Sequence, residues 1–317
     1  MVGRSSDADD ELFLQAATRL GFDISLQLIV AAGQGKTNYV FWLLHHGADV
    51  KTASPNLHRT ALMQAAAGGY VYLVQVLLAN GSDPNAFDLN GQTALIYAAA
   101  NANYHGDYTV KELLVGGADV NHAGRFGVSA LMEAVAGGYV PLVQRLVKAG
   151  ANVDASNTAV YTAWINLGSS GIVGFETVTG TTALMLATKS DRVDIAHVLI
   201  RAGADVNSRS SSGYSALMLA AESAHSDIGK VLIEAGADVN TSNSNGDTPL
   251  ILGVVKNSVD FVRMLIAAGA DVNKTNINGS TPLTVAQQYG YVDIANLLYQ
   301  AGARNKRVRC WGKRYRP

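Results

Sequence analysis

Gly117-Ala118-Asp119-Val120-Asn121 is one copy of a phrase that returns down the whole chain. Its near copies begin at Gly47, Gly81, Gly150, Gly203, Gly236 and Gly269, with a truncated one at Gly302. From Gly47 onward the intervals are 34, 36, 33, 53, 33, 33 and 33 residues. A period near 33 belongs to a stacked repeat with one continuous core, because each unit buries its apolar face only against its neighbours.

The segment between Gly91 and Gly117 shows what one unit contains. Thr93 stands where an N-cap would open a short helix, with Leu95, Ala98 and Ala99 on one face. Alanines there let a neighbouring helix approach closely. After a polar turn, Val110, Leu113 and Leu114 mark a second amphipathic helix, which ends at Gly116-Gly117 in a sequence suited to a left-handed cap. Asp119-Val120-Asn121 then leads into an extended loop that returns at Gly127. The unit therefore reads helix, turn, helix, hairpin loop.

The opening tetrads are Thr60-Ala61-Leu62-Met63, Thr93-Ala94-Leu95-Ile96, Ser129-Ala130-Leu131-Met132, Thr182-Ala183-Leu184-Met185, Ser215-Ala216-Leu217-Met218, Thr248-Pro249-Leu250-Ile251 and Thr281-Pro282-Leu283-Thr284. With the glycine phrase in register, residues 26–303 resemble the ankyrin repeat family. The resemblance implies an all-α solenoid of about eight helix-turn-helix units, the first and last degenerate. It also implies a binding surface on the concave face and hairpin tips. The family's histidine in the opening tetrad is Met, Ile or Thr here, so apolar packing is expected to replace the hydrogen bonds that histidine makes between repeats. Residues 1–25 form an N-terminal segment in which Asp10 to Leu20 reads as a capping helix, and residues 304–317 form a basic tail.

The 53-residue interval holds about 20 extra residues, between Asp154 and Gly180. Two β-branched and aromatic runs, from Ala159 to Leu167 and from Ile172 to Thr179, flank Gly168-Ser169-Ser170-Gly171. That pattern predicts a β-hairpin within residues 155–179, with Leu167 opposite Ile172 and Trp164 opposite Phe175. A two-stranded ribbon needs a surface to lie on, which is either the repeat stack or a partner. The residues expected at the partner surface are Leu89, Arg125, Phe126, Val128, Tyr161, Trp164, Ile172, Phe175 and Tyr214. The wider set of tips adds Phe87, Asn90, Ser212, Asn245 and Ile277, and the exposed first-helix positions are Asn101, Lys189, Glu222, Lys256 and Tyr289.

Charge is unevenly placed. The net charge is −1, yet residues 303–317 carry seven basic side chains and no acid, leaving 17 basic against 25 acidic elsewhere. Arg304, Lys306, Arg307, Arg309, Lys313 and Arg314 form the core of this tail, interleaved with Trp311 and Tyr315. Three readings stay open for it: a solvated tail lying on the acidic body, attraction to an acidic protein or membrane surface, and nucleic-acid contact, the last two being the alternative to a protein-binding role.

Catalytic signals fail. Gly33-Gln34-Gly35-Lys36-Thr37 resembles the end of a phosphate-binding loop, but Val30 stands where that loop needs its first glycine. No Gly-x-Ser-x-Gly or His-Glu-x-x-His occurs, and the single cysteine, Cys310, excludes both a disulfide within the chain and a cysteine-built zinc site. His45 and His46 are neighbours on a helix, about 100° apart, and cannot face one metal together. Asp49, Asp83, Asp119, Asp205, Asp238 and Asp271 recur at one repeat position, which points to loop-stabilising hydrogen bonds. The expectation is a non-catalytic protein-binding scaffold or adaptor without cofactor or metal. It is expected to be monomeric, without a membrane span, and cytoplasmic, or nuclear if the source is eukaryotic.

Overall fold

In the computed structural model, residues 23–101, 103–158 and 179–304 are described. The helix expected at Asp10–Leu20 lies outside them. So do the predicted hairpin, apart from its flanks at 155–158 and 179, and the basic tail beyond Arg304. Two compact units are present, divided between Thr177 and Val178.

The first unit holds four helix pairs: α1 (Ile24–Gly33) and α2 (Thr37–His45), α3 (Ala61–Ala67) and α4 (Val71–Ala79), α5 (Ala94–Ala100) and α6 (Tyr104–Val115), α7 (Ala130–Gly137) and α8 (Val140–Lys148). The second holds α9 (Ala183–Lys189) and α10 (Val193–Arg201), α11 (Ala216–Ser223) and α12 (Ser226–Glu234), α13 (Pro249–Val255) and α14 (Val259–Ala267), α15 (Pro282–Tyr289) and α16 (Val292–Gln300). Each unit is an all-α repeat solenoid of four such pairs, and among the described residues extended pairing is confined to isolated bridges such as Phe87 with Thr93. Both end units keep a complete helix pair, so the first is irregular only in its opening: Asp23 caps α1 by accepting from the backbone N–H of Ser25 and Leu26.

Three local rules build every later unit. The Thr or Ser expected to start each first helix does so: Thr60, Thr93, Ser129, Thr182, Ser215, Thr248 and Thr281 each accept from the N–H three residues on. Each second helix closes on a left-handed glycine. At Gly203, φ is 90°, and the following Ala204 N–H reaches back to the Leu199 carbonyl at 3.0 Å. Small residues then line the seam between first helices: Ala65, Ala66, Ala98, Ala99, Ala134, Ala187, Ala220 and Ala221 are all fully buried.

At the histidine position Met63, Ile96, Met132, Met185, Met218 and Ile251 are buried as apolar packing requires, and hydrogen bonds from a different position join the repeats as well. The asparagine ending the glycine phrase bridges to the next unit. Asn240 Nδ2 donates to the Gly269 carbonyl at 3.1 Å, and its Oδ1 accepts from the Asp271 N–H at 2.7 Å. Asn85, Asn121, Asn207 and Asn273 make the same pair of bonds. The recurring aspartates stabilise the same turns from within, as when Asp238 Oδ1 accepts from the Asn240 N–H at 2.8 Å. Asp49, Asp83, Asp119, Asp205 and Asp271 repeat the bond. The carboxylate ladder is therefore structural.

Candidate partner-binding edge

The hairpin loops of the first unit are tied to one another through their backbones. The Leu89 N–H donates to the Leu57 carbonyl at 3.1 Å, Arg125 to Asn90 at 2.8 Å and Thr158 to Phe126 at 2.9 Å. The second unit repeats this with Ser211 to Thr179, Ser244 to Ser212 and Ile277 to Asn245. Each tip is thus held in register by its neighbour, and a row of such tips forms a rigid edge.

What the edge displays differs along the chain. In the first unit Leu57, Phe87 and Leu89 are 43, 61 and 56% exposed, and Phe87 stacks on His122 with ring centroids 5.9 Å apart. Arg125 is exposed beside them. In the second unit the corresponding tips are mostly Ser and Asn, with Ile277 as the apolar exception.

Behind Leu57 and Leu89 lies a polar cluster. Asp88 is 2% exposed, and its carboxylate accepts from the Asn90 and Gln92 N–H groups at 2.8 and 2.9 Å and from the Tyr97 hydroxyl at 2.6 Å. Arg59 sits with Nε 3.6 Å from the same carboxylate and its guanidinium over the Tyr97 ring, 4.9 Å from the centroid. Burial, and then the bond to Asp88, push the Tyr97 hydroxyl up to about 12. A separate pair joins two second helices: half-buried Arg145 grips buried Asp107 with Nε and Nη2 at 2.5 and 2.8 Å, and these hydrogen bonds raise the Arg145 pKa.

The expected partner residues divide on inspection. Leu89 and Arg125 are exposed, Phe126 is half-buried, and Tyr214 is half-buried with its carbonyl bonded to the Ser210 N–H. Val128 is wrongly placed among the tips: it is 4% exposed, because its carbonyl closes the loop onto the Gly124 N–H and turns its side chain toward the core just before the Ser129 cap. Tyr161, Trp164, Ile172 and Phe175 lie outside the described residues, as do Lys306, Arg307, Arg309, Lys313 and Arg314. Arg304 is exposed and its N–H ends the ladder on Asn273 Oδ1 at 2.9 Å. Of the first-helix positions, Lys256 and Tyr289 are exposed, while Asn101, Lys189 and Glu222 are half-buried. Leu57 and Arg59 were not foreseen. Their one signal is that the loop from Ser54 to Arg59, whose ends pair through the Ser54 N–H and Arg59 carbonyl, is one residue longer than its Asp88–Gln92 counterpart.

Among the described residues no group of three or more His, Cys, Asp or Glu is arranged to hold a metal ion, and no helix is long and apolar enough to cross a membrane.

Comparison with known proteins agrees with this architecture. The family described as "Ankyrin repeats (3 copies)" matches residues 28–106, 100–210, 171–243 and 230–309. The "Ankyrin repeat and KH domain-containing protein mask-1" of Caenorhabditis elegans is 37% identical over 130 residues, 40% of this chain and 5% of that protein. The "Ankyrin repeat and SOCS box protein 6" of Homo sapiens is 36% identical over 98 residues, 29% of this chain and 23% of its own length. A "Putative ankyrin repeat-containing protein" of Treponema pallidum is 34% identical over 126 residues, 38% and 40% of the two chains. The chain thus spans well under two thirds of each relative. With matches from residue 28 to residue 309 and the repeat geometry described above, the chain belongs to the ankyrin repeat family.

Proposed function

We propose that this protein is a non-catalytic interaction scaffold or adaptor that holds a protein partner along the hairpin-tip edge of its first unit. The observation carrying this reading is the run of exposed Leu57, Phe87 and Leu89 on loops already fixed to one another by backbone hydrogen bonds. A surface ordered before binding avoids much of the ordering cost that flexible loops incur. The same reading takes Arg125 and Phe126 as flanking contacts, and Tyr161, Trp164, Ile172 and Phe175 as additional contacts from the segment that follows Thr158. Supporting that last assignment, Thr158 and Thr179 keep the tip-to-tip bonds on either side of the segment.

A photo-crosslinking amino acid at position 89, compared with one at 277, tests the proposal in cells of the source organism. The expected result is a discrete crosslinked protein from position 89 and none shared with position 277. Equal or absent crosslinking at both would defeat it. Repeating the experiment with residues 305–317 removed addresses the alternative, in which the tail supplies attraction to nucleic acid or another anionic surface. Under the scaffold reading the crosslink survives.

A further inference from the structure

The Arg59 guanidinium is fixed in place against Tyr97 and Asp88, yet its side chain stays 29% exposed. Its Nε is buried and makes no hydrogen bond, so the exposed part of the side chain is the remainder. Asp88 lies at 3.6 Å, beyond hydrogen-bond reach, and that carboxylate is already occupied by two backbone N–H groups and the Tyr97 hydroxyl. Tyr97 forms a flat support beneath the guanidinium. An arginine has five N–H donors in a planar fork that matches a carboxylate, and holding the fork still before binding reduces what association must order.

The surroundings define the rest of the ligand. Leu57 is two residues before Arg59 in the chain, and Leu89 follows Asp88 and bonds to the Leu57 carbonyl, so two exposed leucines stand on the loops that carry Arg59 and Asp88. Exposed Arg125, one loop further along the edge, has no side-chain hydrogen bond or ion pair among the described residues. No exposed acid stands on the tips between them, because the one carboxylate there, Asp88, is buried and satisfied.

We propose that the first unit's edge recognises an acidic, apolar peptide segment: a partner Asp or Glu carboxylate is received by Arg59 on its Tyr97 support, and an adjacent large apolar side chain packs on Leu57 and Leu89. This deepens the scaffold reading and rests on it.

The test is selection of short linear peptides from a phage-displayed random library on the full chain, followed by affinity measurement with synthetic copies of the enriched sequences. Enriched peptides are expected to pair Asp or Glu with Leu, Ile or Phe, and to weaken as salt rises. Arg59→Gln and Leu89→Ser are each expected to weaken binding by about tenfold or more, as loss of a charge-assisted bond or a central apolar contact does. Arg59→Lys should recover part of the loss, and Ile277→Ser should leave affinity unchanged. Enrichment of basic peptides, an affinity untouched by Arg59→Gln, or no enrichment at all overturns the proposal. If Arg59→Gln does not give the wild-type circular dichroism spectrum, Leu89→Glu replaces it: this exposed acid should repel the peptide, and unchanged affinity overturns the proposal equally. Peptides indifferent to Arg59 but lost in Ile277→Ser would leave the protein a scaffold and this edge the wrong one. An empty selection together with no crosslink at position 89 removes both readings.

Discussion

The two units solve the same packing problem with different freedom. In the second, the phrase returns every 33 residues and each second helix carries an acid in its first turn: Asp194, Asp227, Asp260 and Asp293. Such acids complement the positive end of the helix dipole. The corresponding positions in the first unit hold Asn38, Tyr72, Tyr108 and Pro141, and its intervals run 34, 36 and 33. The fourth residue after each N-cap differs as well, being Gln64, Tyr97 and Glu133 in the first unit against Leu186, Leu219, Leu252 and Val285 in the second. Caps and left-handed glycines are common to both units. Variation reaches the core as well, where fully buried Thr109 stands in the place of Ile195, Ile228, Phe261 and Ile294, and it is the less regular unit that presents the apolar and cationic edge.

The sharpest way to break the comparison is Asp107→Ala. It strands Arg145, which no counterpart in the second unit would suffer, and the expected loss is about 3 kcal/mol, the lower end for breaking a buried pair because Arg145 is partly exposed. Native-state hydrogen exchange should show protection falling in α5–α8 while α11–α14 keep theirs. Equal loss in both would mean that the units do not differ in local stability.

Next is Gly229→Ala. A Cβ there would meet the Phe261 ring at 2.6 Å, so the change should cost about 1–3 kcal/mol in urea unfolding. Ile195, Ile228 and Ile294 stand where Phe261 does in the other second-unit repeats, so adding Phe261→Ile should recover most of the loss. Simple additivity of the two would show that ring and glycine are not matched.

The ladder gives a smaller, two-sided test. Asn240→Ala removes two exposed bonds and should cost about 1–2 kcal/mol. Lys51 occupies the ladder position in the first repeat, where Asn is missing, so Lys51→Asn should add about 0.5–1 kcal/mol. A neutral result for Lys51→Asn would show that the first unit's spacing does not admit the bridge.

The smallest effect is confined to alkaline pH. Since the Tyr97 pKa in the folded protein lies near 12, above the ordinary 10, its contribution to stability is complete below pH 10 and is lost as pH rises from 10 through 12. The difference in stability between wild type and Tyr97→Phe should therefore change over that interval and be constant below it.

The repeat fold of the described residues was legible because its determinants are local. Thr93 reaches only to Ile96, and Gly203 serves only its own turn. The asparagine bridges were missed although their residues recur, since a bond from Asn240 to Gly269 spans 29 positions and depends on how far one repeat stands from the next. The edge was half legible. Leu89 and Arg125 follow from register, whereas Val128 fails because loop closure on Gly124 decides which way it faces. Arg59 was invisible: its setting is assembled by Asp88 and Tyr97, from the next repeat, and nothing in the chain near position 59 announces them.

Thr158 and Thr179 carry one last consequence. In the other loops the residue that donates its N–H to the preceding tip is followed directly by the one whose carbonyl receives the next; here those two roles fall to Thr158 and Thr179, with residues 159–178 between them. Removing that segment would reduce the 53-residue interval to 33, the spacing of the following repeats. The intervening residues are therefore spliced between two consecutive letters of the repeat, and Thr158 and Thr179 still make the bonds those letters make elsewhere.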